Sequence, residues 1–104
     1  MFETVVSQEG TVRRIRLNGE LDLEGFPRAA ELFGRSFSDG CSAVEIDLRG
    51  LTFMDSSGIR ALFMALKQGE ASGIPLTIVP GPPRVQRPLD TAGATELLPF
   101  RTEE

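Results

Sequence analysis

The sequence has no histidine, no tryptophan and no tyrosine, and it contains one cysteine among 104 residues. Without histidine the commonest general base and the commonest metal ligand are missing. A Ser-His-Asp triad, a Cys-His nucleophile and a HExxH zinc site are therefore excluded. The lone Cys41 also rules out an intrachain disulfide and any CxxC metal or redox motif. We expect a protein that is not an enzyme and that has no structural zinc site.

Long apolar runs and an excess of basic residues are also missing. No segment approaches the roughly 18 apolar residues of a membrane helix, and the first residues lack the pattern of a signal peptide. The formal net charge of -4 gives no overall electrostatic support for nucleic-acid binding. With no repeat or linker in residues 1–104, the composition predicts a single domain. We expect it to be cytoplasmic, not inserted in a membrane, and monomeric because no heptad or large apolar edge is apparent.

The apolar pattern predicts an α/β domain in the order β-β-α-β-α-β-α-β, with a mixed sheet covered by helices mainly on one face. The predicted strands are residues 5–6, 12–17, 44–48 and 76–79, with a last strand or extended tail at 96–100. The inward stripes of the helices are Phe26, Ala29, Ala30, Phe33 and Phe37, then Ile59, Leu62, Phe63 and Leu66, then Val85 and Leu89. Residues 18–22 are predicted as a loop and residues 38–40 as the end of the first helix. Pro88 is expected to kink the third helix or to limit it to one or two turns.

The segment Asp55-Ser56-Ser57-Gly58 precedes the second helix and carries the most chemistry. Asp55 is predicted to N-cap this helix through the backbone N–H of Ser57 or Gly58. Three interpretations remain open: a helix start and nothing more, a serine nucleophile, or a serine that another protein phosphorylates. A nucleophile needs an adjacent base, and the single lysine, Lys67, lies about three turns further along the same helix. Catalysis is thus the least favoured of the three.

Two segments resemble the STAS domain of bacterial anti-sigma-factor antagonists. The first is Phe-Met-Asp-Ser-Ser-Gly-Ile at residues 53–59, preceded by the strand Val-Glu-Ile-Asp-Leu at 44–48. The second is Gly-Glu-Leu-Asp at residues 19–22, after the second predicted strand. The motif spacing and the element order match this family from about residue 5 to about residue 100.

The resemblance implies a regulator of transcription that works by partner switching. In its unphosphorylated form such a protein binds an anti-sigma factor, a serine kinase with a histidine-kinase-like ATPase fold, and thereby frees the sigma factor. The kinase phosphorylates the serine that corresponds to Ser56 and so ends the binding. A serine phosphatase of the PP2C type restores it. Mg-ATP belongs to the partner, so the resemblance implies no cofactor on this chain.

The residues expected to contact the partner surround Ser56. They are Asp22, Asp55, Ser57, Gly58, Arg60 and Met64. The simpler interpretation of Asp22 is the N-cap of the first helix. For Arg60 and Met64 it is a solvated arginine and a half-buried methionine on a flank of the second helix. Arg13, Arg14 and Arg16 could meet an anion or merely line a solvated sheet face. The alternative function is an unphosphorylated STAS adaptor, a structural subunit of a larger stress-signalling or transport complex.

Overall fold

Four strands and three helices follow one another in the predicted order. The computed structural model describes residues 1–38 and 40–102. The strands are β1 (Phe2–Glu9), β2 (Val12–Leu21), β3 (Ala43–Met54) and β4 (Leu76–Val79). The helices are α1 (Phe26–Ser36), α2 (Ser56–Ser72) and α3 (Pro83–Thr91). Residues 96–100, predicted as a last strand or tail, form mostly turns and contribute a single parallel bridge from Phe100 to Ile78.

The strands form one mixed sheet in the order β1-β2-β3-β4. β1 and β2 make an antiparallel hairpin, whereas β2 pairs with β3, and β3 with β4, in parallel. Parallel neighbours need crossover connections, which α1 and α2 supply. As a result β2 and β3 end at the same edge of the sheet, where Leu21 is paired with Met54. The expected α/β domain with a mixed sheet is confirmed.

β2 is longer than the sequence predicted. Residues 18–22 were expected to form a loop, but the ladder with β3 continues to Leu21 and shifts register on both sides of the pair Asn18 and Gly19. Gly19 has a φ of 90°, and a Cβ at this position would lie 2.1 Å from the carbonyl oxygen of Met1. Glycine therefore lets the N-terminus pack closely there, and the irregular register hides the strand from a period-two pattern.

β3 shows why the helices cover one face of the sheet only. Its inward residues are Val44, Ile46 and Leu48, which are buried in the core. On the opposite face the Glu45 carboxylate forms ion pairs with Arg14 at 2.8 Å and Arg101 at 3.1 Å. The clean alternation of β3 is thus confirmed, and Arg14 belongs to a cross-strand charge network on the open face.

α1 begins later than the sequence predicted. Asp22 was expected to be its N-cap. The N-cap is instead Gly25, which has no side chain that could cap the helix. The Asp22 carboxylate instead accepts hydrogen bonds from the backbone N–H groups of Glu24 (3.1 Å) and Gly25 (3.3 Å). It therefore fixes the turn that leads into the helix. α1 ends at Ser36, ahead of the predicted 38–40, of which Asp39 lies outside the described residues.

α2 presents small side chains to the sheet. Its buried residues are Gly58, Ala61, Leu62, Ala65 and Gly69. The predicted stripe was therefore rotated: Leu62 is fully buried, while Ile59, Phe63 and Leu66 are half-buried and pack along the margin of the core. Gly73 ends the helix in the left-handed region, with a φ of 73° and with its N–H bonded to the Gly69 carbonyl.

α3 is anchored to the core by Val85 and Leu89, both fully buried as predicted. It spans nine residues in all, about two and a half turns, and continues past Pro88 to Thr91, so the prediction of one or two turns was too short. Within the ranges 1–38 and 40–102, none of the helices combines the length and apolar character needed to cross a membrane.

Candidate functional site

The two sequence motifs meet where β2 and β3 end. Leu21 and Met54 are paired in the ladder, and the backbone N–H of Asp55 donates to the Leu21 carbonyl at 3.3 Å. Asp22 and Asp55 directly follow the last residues of β2 and β3. The structure thus brings Asp22 to the start of α2.

Asp55 is the N-cap of α2. Its backbone is extended, with φ -116° and ψ -165°, and its carboxylate accepts a hydrogen bond from the Ser57 N–H at 2.9 Å. Its carbonyl accepts the N–H groups of Gly58 at 3.0 Å and Ile59 at 3.3 Å. The predicted cap is therefore confirmed, and it occupies N–H groups that would otherwise have no partner in the first turn.

The serines and the glycine after the cap differ in exposure. Ser56, the first residue of α2, is exposed, Ser57 is half-buried and Gly58 is buried. A Cβ at Gly58 would lie 2.3 Å from Cγ of Met54 and 3.2 Å from Cγ of Leu21. Gly58 therefore allows the start of α2 to rest on the ends of both strands, and Ser56 is left as the accessible hydroxyl of the pair.

Ser56 lies on one wall of a groove between α2 and α3, with a volume of about 540 Å³. The other lining residues are Ile59, Arg84, Arg87, Pro88, Thr91 and Ala92. Sequence reasoning missed this neighbourhood. The spacing of Arg84, Arg87 and Thr91 does indicate one face of a helix, but nothing in the spacing says which element that face meets.

Arg60 and Met64 lie one turn apart on α2. Met64 is 42% exposed. Arg60 is also exposed, and its guanidinium carbon lies 5.0 Å from the centre of the Phe26 ring, a favourable cation–π geometry. Arg60 thus has a partner on α1 that the sequence did not reveal, so it helps to hold α1 and α2 together besides being available at the surface.

The arrangement offers an exposed hydroxyl, and among residues 1–38 and 40–102 no histidine or lysine lies beside it. Lys67, the single lysine, lies on α2 about three turns beyond Ser56. Across residues 1–38 and 40–102, no group of three or more His, Cys, Asp or Glu side chains could hold a metal ion. A helix start does tolerate negative charge. The fold and site together define a small α/β domain that displays an exposed serine at the end of its parallel strands.

The chain belongs to the STAS domain family, because the model of that family matches residues 3–104. No curated protein sequence matches the chain closely enough to count as a relative.

Solved structures share the fold at low sequence identity. An anti-sigma factor antagonist from Mycobacterium paratuberculosis is 23% identical, with a TM-score of 0.85 over 99% of this chain and 87% of that one. The anti-sigma factor antagonist SpoIIAA in its unphosphorylated form is 20% identical, with a TM-score of 0.77 over 97% and 90%. The Bacillus cell fate determinant SpoIIAA in its phosphorylated form is 20% identical, with a TM-score of 0.70 over 97% and 93%.

Proposed function

We propose that this chain is an anti-sigma-factor antagonist whose binding is switched off by phosphorylation of Ser56. The observation that carries the proposal is the exposed Ser56 hydroxyl at the start of α2 in a STAS domain. The partner is an anti-sigma factor with a histidine-kinase-like ATPase fold, which supplies Mg-ATP and transfers the phosphoryl group. A PP2C-type phosphatase reverses the step. The chain itself acts in the cytoplasm as a monomeric binding module without enzymatic activity.

Similar folds support this proposal, since the two SpoIIAA structures represent the unphosphorylated and phosphorylated forms of that protein. The contact surface that we propose surrounds Ser56 and consists of Asp22, Asp55, Ser57, Gly58, Arg60 and Met64. Met64 suits such a surface because its side chain is exposed and adaptable.

The physical basis of the switch is charge at a docked surface. A phosphoserine carries about -1.5 to -2 charges at pH 7, and Ser56 follows the carboxylate of Asp55 directly. The unphosphorylated hydroxyl can be covered by a partner at little cost, whereas a like charge in a closed interface costs several kcal/mol. Phosphorylation therefore weakens binding without any need to refold the domain.

The test is transfer of phosphate to the purified chain. We would mix it with each histidine-kinase-like ATPase of the same genome and Mg-ATP, and measure the intact mass of wild type, Ser56→Ala and the matched control Ser57→Ala. We expect one phosphate on wild type and on Ser57→Ala, and none on Ser56→Ala. Phosphate that persists on Ser56→Ala would overturn the assignment of the site. Stable binding to one of these ATPases without phosphate transfer would favour the adaptor function instead.

A further inference from the structure

Two arginines in the groove beside Ser56 have no evident structural task. Arg84 and Arg87 are exposed and line the groove together with Ser56. In the part of the chain that the structure describes, neither guanidinium forms an ion pair, a hydrogen bond or a cation–π contact. Arg14, by comparison, is paired with Glu9 and Glu45. The contacts that stabilise the fold therefore do not explain why two arginines line this groove.

The packing of α3 holds these arginines on the groove side. Val85 and Leu89 are fully buried on the opposite side of the helix, and rotation of α3 about its axis would expose them. Arg84 and Arg87 are three residues apart, so their side chains share one face. Both therefore line the same groove as Ser56.

The charges around Ser56 are distributed unevenly. The carboxylate of Asp55 caps α2 on the side of the strand ends, and the two guanidinium groups lie on the α3 side. A phosphate on Ser56 would be repelled by Asp55 and attracted across the groove. Arginine pairs with phosphate through two parallel hydrogen bonds.

We propose that Arg84 and Arg87 bind the phosphate of phosphorylated Ser56 and so tie α3 to the start of α2. The inference rests on the proposed function in taking Ser56 as the phosphorylated residue. Its consequence is that phosphorylation changes the shape of this surface as well as its charge, because the arginine side chains then cover the apolar groove wall formed by Ile59 and Ala92.

The test measures the second pKa of the phosphate. Phosphoserine is incorporated at position 56 during translation, so the experiment needs no kinase and its result does not depend on whether the proposed kinase exists. The full chain is titrated by ³¹P NMR as wild type and as the Arg84→Gln/Arg87→Gln variant. We expect the phosphate pKa of the wild type to be lower than that of the double variant by about 0.5 unit or more, because nearby cations favour the dianion.

Two further variants make the result specific. Arg35→Gln/Lys67→Gln removes the same number of positive charges outside the groove, and we expect it to titrate like wild type. Arg84→Lys/Arg87→Lys keeps the charges, and we expect it to retain most of the shift. Equal phosphate pKa values in wild type and Arg84→Gln/Arg87→Gln, with both folded by circular dichroism, would overturn the inference. An equal rise in the Arg35→Gln/Lys67→Gln control would also overturn it, since net charge alone would then explain the effect.

Discussion

At the scale of single residues, Asp47 shows how the open face of the sheet tolerates a carboxylate that is 9% exposed. Its oxygens accept hydrogen bonds from Nε of Arg49 at 3.0 Å, from Nη2 of Arg49 at 2.9 Å and from the Arg49 backbone N–H at 2.9 Å. Burial by itself raises the pKa of Asp47. The hydrogen bonds and charge of Arg49, with the charge of Arg16, outweigh burial and lower that pKa below its ordinary value of 3.8.

The lowered pKa predicts a pH-dependent contribution to stability. Because the folded-state pKa is below the unfolded one, the contribution is fully present above about pH 4 and is lost as the pH falls through the folded pKa. We expect Asp47→Asn to reduce the free energy of unfolding at pH 7 by about 1–3 kcal/mol. Urea titrations at pH 7 and at pH 3 check this.

The matched control for Asp47 is the exposed ion pair between Glu31 and Arg35 on α1. Glu31→Gln should change the free energy of unfolding by less than about 0.5 kcal/mol at either pH. The account of Asp47 fails if the difference between wild type and Asp47→Asn is as large at pH 3 as at pH 7.

The caps show what single residues reveal in advance. Asp55 was predicted correctly as an N-cap, because the residues that follow it continue directly into a helical pattern. Asp22 was placed wrongly, because both a cap and the turn before a helix use the same carboxylate-to-backbone bonds. Only the backbone conformation of the intervening residues distinguishes the two cases. In this turn the buried Gly25 packs against the Phe2 side chain.

At the scale of elements, the start of α2 depends on close contact at Gly58. A Cβ there would meet Met54 at 2.3 Å at Cγ and 2.7 Å at Sδ, and Met54 is itself buried. A shift of the helix start is the expected response, and this would move Ser56 relative to Asp22.

Gly58→Ala is therefore expected to lower the free energy of unfolding by about 1–3 kcal/mol, although alanine is the better helix former. The matched control is Gly34→Ala in α1, where a Cβ meets nothing within 4 Å. That change should raise the free energy of unfolding by about 0.5–1 kcal/mol. Chemical denaturation of both variants measures the effects, and a stabilised Gly58→Ala would refute the packing argument.

The elements themselves were predictable where one pattern dominates. The alternation in β3 gave the correct faces, and the apolar run at residues 76–79 gave β4. The inward face of α2 was predicted from large apolar residues, whereas its buried side is mostly glycine and alanine. Small residues give a weak hydropathy signal even when they make the closest contacts. The predicted inward face of α2 was therefore rotated away from the side that is buried.

At the scale of the whole molecule, the site is assembled by topology. The parallel pairing of β2 and β3 joins two motifs that are far apart in the sequence, and the fold of a recognised family made this junction predictable. The position of α3 beside Ser56 was not predictable, because it depends on how Val85 and Leu89 seat the helix on the core. The groove and its two arginines follow from that packing.

The measurement that tests the central claim most directly is the affinity of the full chain for the proposed anti-sigma factor with and without phosphate on Ser56. Isothermal titration calorimetry would compare the unmodified chain, the chain with phosphoserine at position 56, and a control with phosphoserine at position 72, at the far end of α2. We predict that phosphoserine at 56 weakens binding by at least about 100-fold, and that phosphoserine at 72 leaves the Kd unchanged. Equal affinities for the unmodified chain and the chain phosphorylated at Ser56 would contradict the account.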